Sequence, residues 1–217
     1  MITQLETVVP PPPGKPSRGG TAANQRRAEQ IALSPDAWTH RAAEEVVDSY
    51  ARLAERWDRE RGYYRLAPIR DALTRGGPWQ RGLGVEIGAG TGLLTPSLLN
   101  VWNRILCVDL SADMLCRNPH RLRVRADAAH LPLPADVATV VVIGDGPLFA
   151  AEVDRVLRRD GAVVWCNALG TDAPQHVRTE VLVAALSEAS RGDWDAVQSH
   201  AGWGTWVVLR RATPPRP

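Results

Sequence analysis

The sequence predicts an α/β fold: a mostly parallel seven-stranded sheet in a three-layer sandwich, ending in an antiparallel C-terminal hairpin. Three observations carry this. Short apolar runs alternate with helical patterns from Gly82 to Ala168. Runs such as Ala138-Thr139-Val140-Val141-Val142-Ile143 lack polar alternation, as strands covered on both faces do. The last two runs, Ala196–Ser199 and Thr205–Leu209, are separated only by His200–Gly204, too short for a parallel crossover.

In chain order, residues 1–33 come first, with Pro10-Pro11-Pro12-Pro13 and Ser17-Arg18-Gly19-Gly20. So little periodic apolar surface cannot offset ordering entropy, and a disordered, dispensable proline-rich tail is expected. Residues 34–77 read as a helical cap. Ser34-Pro35 has the form of a helix start, Val46, Tyr50, Leu53 and Trp57 form one stripe, and a second helix runs from Leu66 to Thr74 before Gly76-Gly77. Residues 78–212 form the core, and residues 213–217 a flexible end. Core strands are expected at Gly82–Ile87, Ile105–Leu110, Leu122–Arg125, Val137–Ile143, Ala162–Ala168 and the two hairpin runs. Helices fit at Leu93–Val101, Ala112–Cys116, Phe149–Arg158 and His176–Ser190, with a weak turn near Pro134.

Composition narrows the function. The 217 residues carry a formal charge of +2, so no field of one sign points to nucleic acid or an anionic membrane. Of the three cysteines, Cys107 and Cys166 sit in apolar runs and Cys116 does not, without metal-type spacing. With no spanning apolar run and no export signal, a reducing cytoplasmic setting is expected.

The chemistry concentrates in Val85-Glu86-Ile87-Gly88-Ala89-Gly90-Thr91-Gly92-Leu93-Leu94. A strand runs into a glycine loop that opens a helix, where backbone N–H groups and bare Cα atoms approach a ligand closely. The Gly-x-Gly-x-Gly spacing departs from the Gly-x-Gly-x-x-Gly of dinucleotide loops. Glu86 stands where a carboxylate organises the loop and attracts an ammonium. At the end of the second strand, Asp109 can accept hydrogen bonds from a ribose diol. Ser111 caps the next helix, placing Met114 to pack on a purine. After the third strand, Asp127 can accept from an adenine amino group while the Ala128 amide donates to a ring nitrogen.

This series, with Asp109-Leu110-Ser111-Ala112-Asp113-Met114-Leu115, Asp127-Ala128…Leu131-Pro132 and Glu152-Val153…Arg155-Val156-Leu157…Gly161, resembles the class I S-adenosylmethionine (SAM)-dependent methyltransferases. It looks closest to the branch of the ubiquinone and menaquinone C-methyltransferases, over about Val46 to Arg211. The resemblance implies a Rossmann-like sheet of strand order 3-2-1-4-5-7-6. It also implies SAM as methyl donor, S-adenosylhomocysteine (SAH) as product, and a small-molecule O, N or C acceptor, for instance in secondary metabolism. Cofactor contacts would come from Glu86, Gly88, Ala89, Gly90, Gly92, Asp109, Leu110, Met114, Asp127, Ala128 and Gly144.

Beyond the cofactor the reading branches. Asp145, just past the fourth strand, is the candidate catalytic base or substrate contact, or else a turn residue in Gly144-Asp145-Gly146-Pro147. His130 and His176 lie near strand ends, where structural roles are favoured. Tyr50, Tyr63 and Tyr64 are substrate candidates on the cap, whereas Trp57 reads as packing. Asp145, Asn167 and Asp172 are too sparse to hold a metal, and none is expected. The short Asn167–Gln175 segment leaves no room for a long substrate-covering insertion, which weighs against a quinone acceptor. Two alternatives stay open: a catalytically degenerate binding or partner module, and a dinucleotide-dependent oxidoreductase.

Overall fold

The computed structural model describes residues 1–14, 21–62 and 64–212. In chain order the elements are β1 (Ile2–Gln4), α1 (Ala22–Leu33), a 3₁₀ turn (Pro35–Ala37), α2 (His40–Ala51), α3 (Trp57–Arg61), α4 (Leu66–Arg75), β2 (Leu83–Ile87), α5 (Thr95–Leu99), β3 (Arg104–Asp109), α6 (Ala112–Leu115), β4 (Arg123–Arg125), β5 (Ala138–Gly144), α7 (Ala150–Val156), β6 (Leu157–Asn167), a second 3₁₀ turn (Gly170–Asp172), α8 (Thr179–Ser190), β7 (Trp194–Ala201) and β8 (Gly204–Arg211).

One eight-stranded sheet runs β1-β7-β8-β6-β5-β2-β3-β4. Without β1, this is the expected order 3-2-1-4-5-7-6 read from the other edge. β8 is antiparallel to both β6 and β7, and the remaining pairs are parallel. Alternate residues feed two apolar layers. Val85, Ile87, Val141, Ile143, Val163 and Trp165 face Ala28 of α1, Val153 of α7 and Leu182 and Leu186 of α8. Val140, Val142, Val164, Cys107 and Cys166 face Ile69 and Ala72 of α4 and Leu98 of α5. The unbroken valine run of β5 therefore serves both layers. Register sets the site: Ile87 pairs with Ile143, so Gly88 and Gly144 emerge side by side where strand order reverses.

The expected disordered tail holds two regular elements, while its residues 15–20 lie outside the described residues. Residues 2–4 form β1, parallel to β7, with Ile2 opposite Ala196 and Gln4 opposite Gln198. All three side chains are exposed, so the strand is held through its backbone and leaves no hydrophobic alternation to read. Residues 22–33 form α1, which buries Ala28, Ile31 and Ala32 on an otherwise polar helix. Its start is a capping box built from Thr21 and Asn24, in which amide and hydroxyl bond reciprocally. Glu29 pairs with Arg178 at 2.7 Å, beside the start of α8.

Smaller differences follow from local chemistry. Ser34 closes α1 and also opens the 3₁₀ turn that begins at Pro35, whereas Thr39 is the N-cap of α2, accepting from the Ala42 amide. The chain turns after Ala51, so Leu53 lies between helices and Trp57 begins α3. Cys107 and Cys166 are buried, Cys116 is exposed, and all three are free thiols. Among the described residues, no helix is long and apolar enough to cross a membrane. The expected flexible end, 213–217, lies outside the described residues.

Candidate active site

Beyond the carboxyl ends of β2, β3 and β5 lies a cavity of about 510 Å³, within the usual range for small-molecule sites. Its floor is the glycine loop, where Gly88, Gly90 and Gly92 all have positive φ (69°, 52° and 81°). A Cβ on Gly88 would stand in open space, so that bare Cα leaves room inside the cavity. A Cβ on Gly90 would come 3.0 Å from Met114 Cε. At Gly90 both reasons for glycine hold, the left-handed backbone and the close approach.

The loop is gripped from two sides. The Gly90 amide donates to Asp109 Oδ2 at 2.7 Å, and Asn118 Nδ2 donates to the Gly90 carbonyl at 3.2 Å. The other Asp109 oxygen accepts from the Ser111 amide at 2.8 Å. Burial raises the pKa of Asp109 above the usual carboxylate value, partly offset by these amide bonds. With a further contact from the Leu110 amide, the carboxylate still keeps acceptor capacity for a hydroxyl. Thr91, within the loop, donates to Asp58 of α3 at 2.6 Å, which ties the cap to the loop.

Glu86 lies beneath the loop, 1% exposed, and accepts from Thr95 Oγ1 at 2.5 Å at the start of α5. Desolvation pushes its pKa up to about 7, and the nearby Asp109 charge adds to the rise. The sign follows by linkage. From its ordinary 4.5 to about 7, the folded protein holds this proton and the unfolded chain does not. Stability of the ligand-free protein therefore falls as pH rises through that window and levels off above it. We expect up to about 3 kcal/mol from this group, at 1.36 kcal/mol per unit. Glu86→Gln, neutral throughout, should flatten that part of the profile in urea titrations from about pH 4 to about pH 8. An unchanged slope would refute the assignment.

The candidate residues divide as follows. Glu86, Gly88, Ala89, Gly90, Asp109, Leu110, Met114, Asp127, Ala128 and Gly144 all line the cavity. Gly92 instead closes the loop from behind, its absent Cβ facing Asn118 at 2.7 Å. Tyr50 lines the cavity and leans on Trp57, with centroids 5.3 Å apart. Trp57 packs with Ala54 and Met114 and also lines the wall. Tyr64 does not: it is buried with Ala168, Leu169 and Ala173 against Trp203, while its neighbour Arg65 lines the cavity. Tyr63 lies outside the described residues. His130 is exposed and off the cavity. His176 is half-buried, its Nδ1 3.1 Å from Asn167 Oδ1, facing a second cavity of about 200 Å³. Burial lowers its pKa.

Asp145 is both turn residue and wall residue. Its φ of 53° is left-handed, rare for a residue with a side chain. Its carboxylate accepts from Arg65 at 2.5 Å, from the Ala168 amide at 3.0 Å and from Asn167 Nδ2 at 3.4 Å. Arg65 in turn lies over the Trp57 ring at 4.5 Å. Motif reading missed Arg65, and also Trp38, whose indole donates to Asp127, and Asn24, Arg27 and Ile31 of α1. All lie in α1 or the cap, ahead of the glycine loop, where no glycine or acid signature marks a ligand.

Residues 85–165 match a family model described as a methyltransferase domain. DhpI in its SAH complex is similar in structure, with TM-score 0.57 and 20% identity over 82% of this chain and 100% of that one. A SAM-dependent methyltransferase from Thermotoga maritima gives TM-score 0.57 and 18% identity over 77% and 99% of the two chains. One from Aquifex aeolicus gives 0.53 and 14% over 81% and 100%. The fold is the Rossmann-like methyltransferase fold. A search of curated protein sequences gives no match. On the methyltransferase fold, the glycine loop and Asp109 stand at the point where strand order reverses, and the cap, from α1 to Arg65, supplies the opposite wall.

Proposed function

We propose that the protein is a SAM-dependent methyltransferase acting on a small-molecule oxygen, nitrogen or carbon acceptor, for instance in secondary metabolism. The observation that carries this is the joint between Gly90 and Asp109. One acid fixes the middle glycine amide and keeps acceptor capacity facing a cavity that Gly88 leaves open. These residues fit an adenosyl group. Asp109 would take the ribose diol, Met114 and Leu110 the purine faces, and Asp127 with the Ala128 amide the purine edge. Glu86 would answer the ammonium. No feature of the cavity adds to the likeness to the quinone C-methyltransferases.

When bound, SAM supplies a methyl group already activated on a sulfonium. Alignment and exclusion of water then do most of the work, and the cap provides both. Tyr50, Trp57 and Trp38 cover the cavity, while Asp58 holds α3 to the loop through Thr91. Asp145 keeps one acceptor position on Oδ2, and there it can take a hydrogen bond or a proton from the acceptor. Calorimetry with SAH, SAM and NAD tests the cofactor. Binding of the first two and silence with NAD is expected, and the reverse would overturn the reading. Labelled-methyl transfer to a panel of phenols, amines and carbon acids separates an enzyme from a binding module.

A further inference from the structure

We propose that Trp38 is a positioning residue for Asp127, fixing that carboxylate so that it recognises an adenine amino group and rejects a keto oxygen. The proposal rests on the cofactor reading above and concerns a residue that no sequence motif marks.

The geometry is an accounting of acceptor positions. An ionised carboxylate has about four lone-pair positions. The Trp38 indole N–H is shared between both Asp127 oxygens, at 3.1 and 2.9 Å. The Ala129 amide donates to Oδ1 at 2.9 Å. One position is left, on Oδ2. Beside it in the chain, the Ala128 amide donates to no group among the described residues. Both residues line the cavity. The wall thus offers one acceptor and one donor, the complement of the amino group and adjacent ring nitrogen of adenine. Hypoxanthine reverses both, with a keto oxygen and a ring N–H.

Trp38 can hold the carboxylate because it is itself held. Its ring meets Phe149, at the start of α7, edge to face at 5.3 Å. It also sits between the 3₁₀ turn Pro35–Ala37 and the capped start of α2. Without the indole N–H, only the Ala129 amide on Oδ1 would hold the Asp127 carboxylate, and the remaining lone pair on Oδ2 would no longer be aimed.

The test compares SAH with S-inosylhomocysteine by calorimetry, in the wild type and in Trp38→Phe, which keeps a ring against Phe149 and removes the N–H. We expect wild type to favour SAH by roughly 100-fold or more, since a wall built for one pattern leaves groups unpaired with the other. Trp38→Phe should weaken SAH roughly five- to tenfold, the size of one hydrogen bond net of water. It should also compress the ratio between the two ligands to about tenfold. Were Trp38 only packing, affinity would fall for both ligands and the ratio would stand. An unchanged ratio, or tighter SAH binding, overturns the proposal. The wild type gives a second check that needs no variant. By NMR, the Trp38 Nε1–H should stay protected from exchange in the SAH complex, and its release on binding would equally overturn the proposal. Wild type that binds neither ligand rejects the cofactor reading itself, and this proposal with it. SAH binding with an unchanged ratio rejects only the role of Trp38.

Discussion

Deleting residues 1–33 is expected to cost on the order of 3–5 kcal/mol of stability and most of the affinity for SAH. Ile31 is 4% exposed and Ala28 and Ala32 are buried with it, so the deletion strips α1 from the layer that holds α7 and α8. Burying an isoleucine is worth about 1.5–3 kcal/mol, and the alanines and the uncovered surface of α8 add to it. The Glu29–Arg178 pair adds little, because Arg178 is 65% exposed on its side chain and water screens it. Against a typical total of about 5–15 kcal/mol this is a large fraction. The affinity loss has a separate cause: Asn24, Arg27 and Ile31 form part of the cavity wall. Urea unfolding and SAH calorimetry read the two effects. Ile31→Ala, expected to cost about 2–4 kcal/mol in urea, tests the packing of that one side chain, which also lines the cavity. A truncated chain as stable as the full one would mean that α1 does not pack on the domain.

Asp109→Ala is expected to lower SAH affinity by at least about 100-fold while changing stability far less. Charge-assisted hydrogen bonds contribute about 1.5–3 kcal/mol each, and the variant removes both acceptors proposed for the ribose. It also frees the Gly90 amide, so the loop loses one of its two grips. Stability is a contest between two terms. The Gly90 and Ser111 amides lose their acceptor, which costs energy, but a desolvated charge is also removed. Because burial outweighs those bonds and raises the Asp109 pKa, the ionised form is already penalised in the fold. The two terms oppose one another, so stability is expected to change much less than affinity. Asp109→Asn keeps one acceptor oxygen and should fall between. A folded Asp109→Ala that binds SAH normally would remove this residue from the site.

Sequence and structure agree where a residue's role is local. The core strands were legible because burial on both faces forces continuous apolar runs, as in β5, and the hairpin because its connection is short. The loop glycines and Asp109 were legible because backbone geometry and a charged acceptor restrict the residue type at fixed spacing. β1 was not, because backbone pairing alone holds it and leaves its side chains free to be anything. Nor was α1, whose three buried residues make a stripe too narrow to stand out from a polar tail. Tyr64 and Arg65 show a third limit. They are adjacent, yet one turns into a small core cluster and the other into the cavity, a difference set by the orientation of the cap. Trp38 could not be assigned either, since its partner Asp127 lies 89 residues away in the chain.

The position of β1 also bears on how copies of the chain behave toward one another. β7 is eight residues long, and β1 with Val9 occupies its outer side over parts of that length. Stripped of that cover, β7 would offer a row of unsatisfied amides and carbonyls to any passing strand. A second molecule could then extend the sheet edge to edge, or lend its own first residues in exchange. A shield so short, with little apolar burial beyond Val9, trades little stability for a large gain in solitude. At the opposite edge, β4 has only three residues and carries the exposed Arg123 and Arg125, so charge repels what β1 would otherwise have to block.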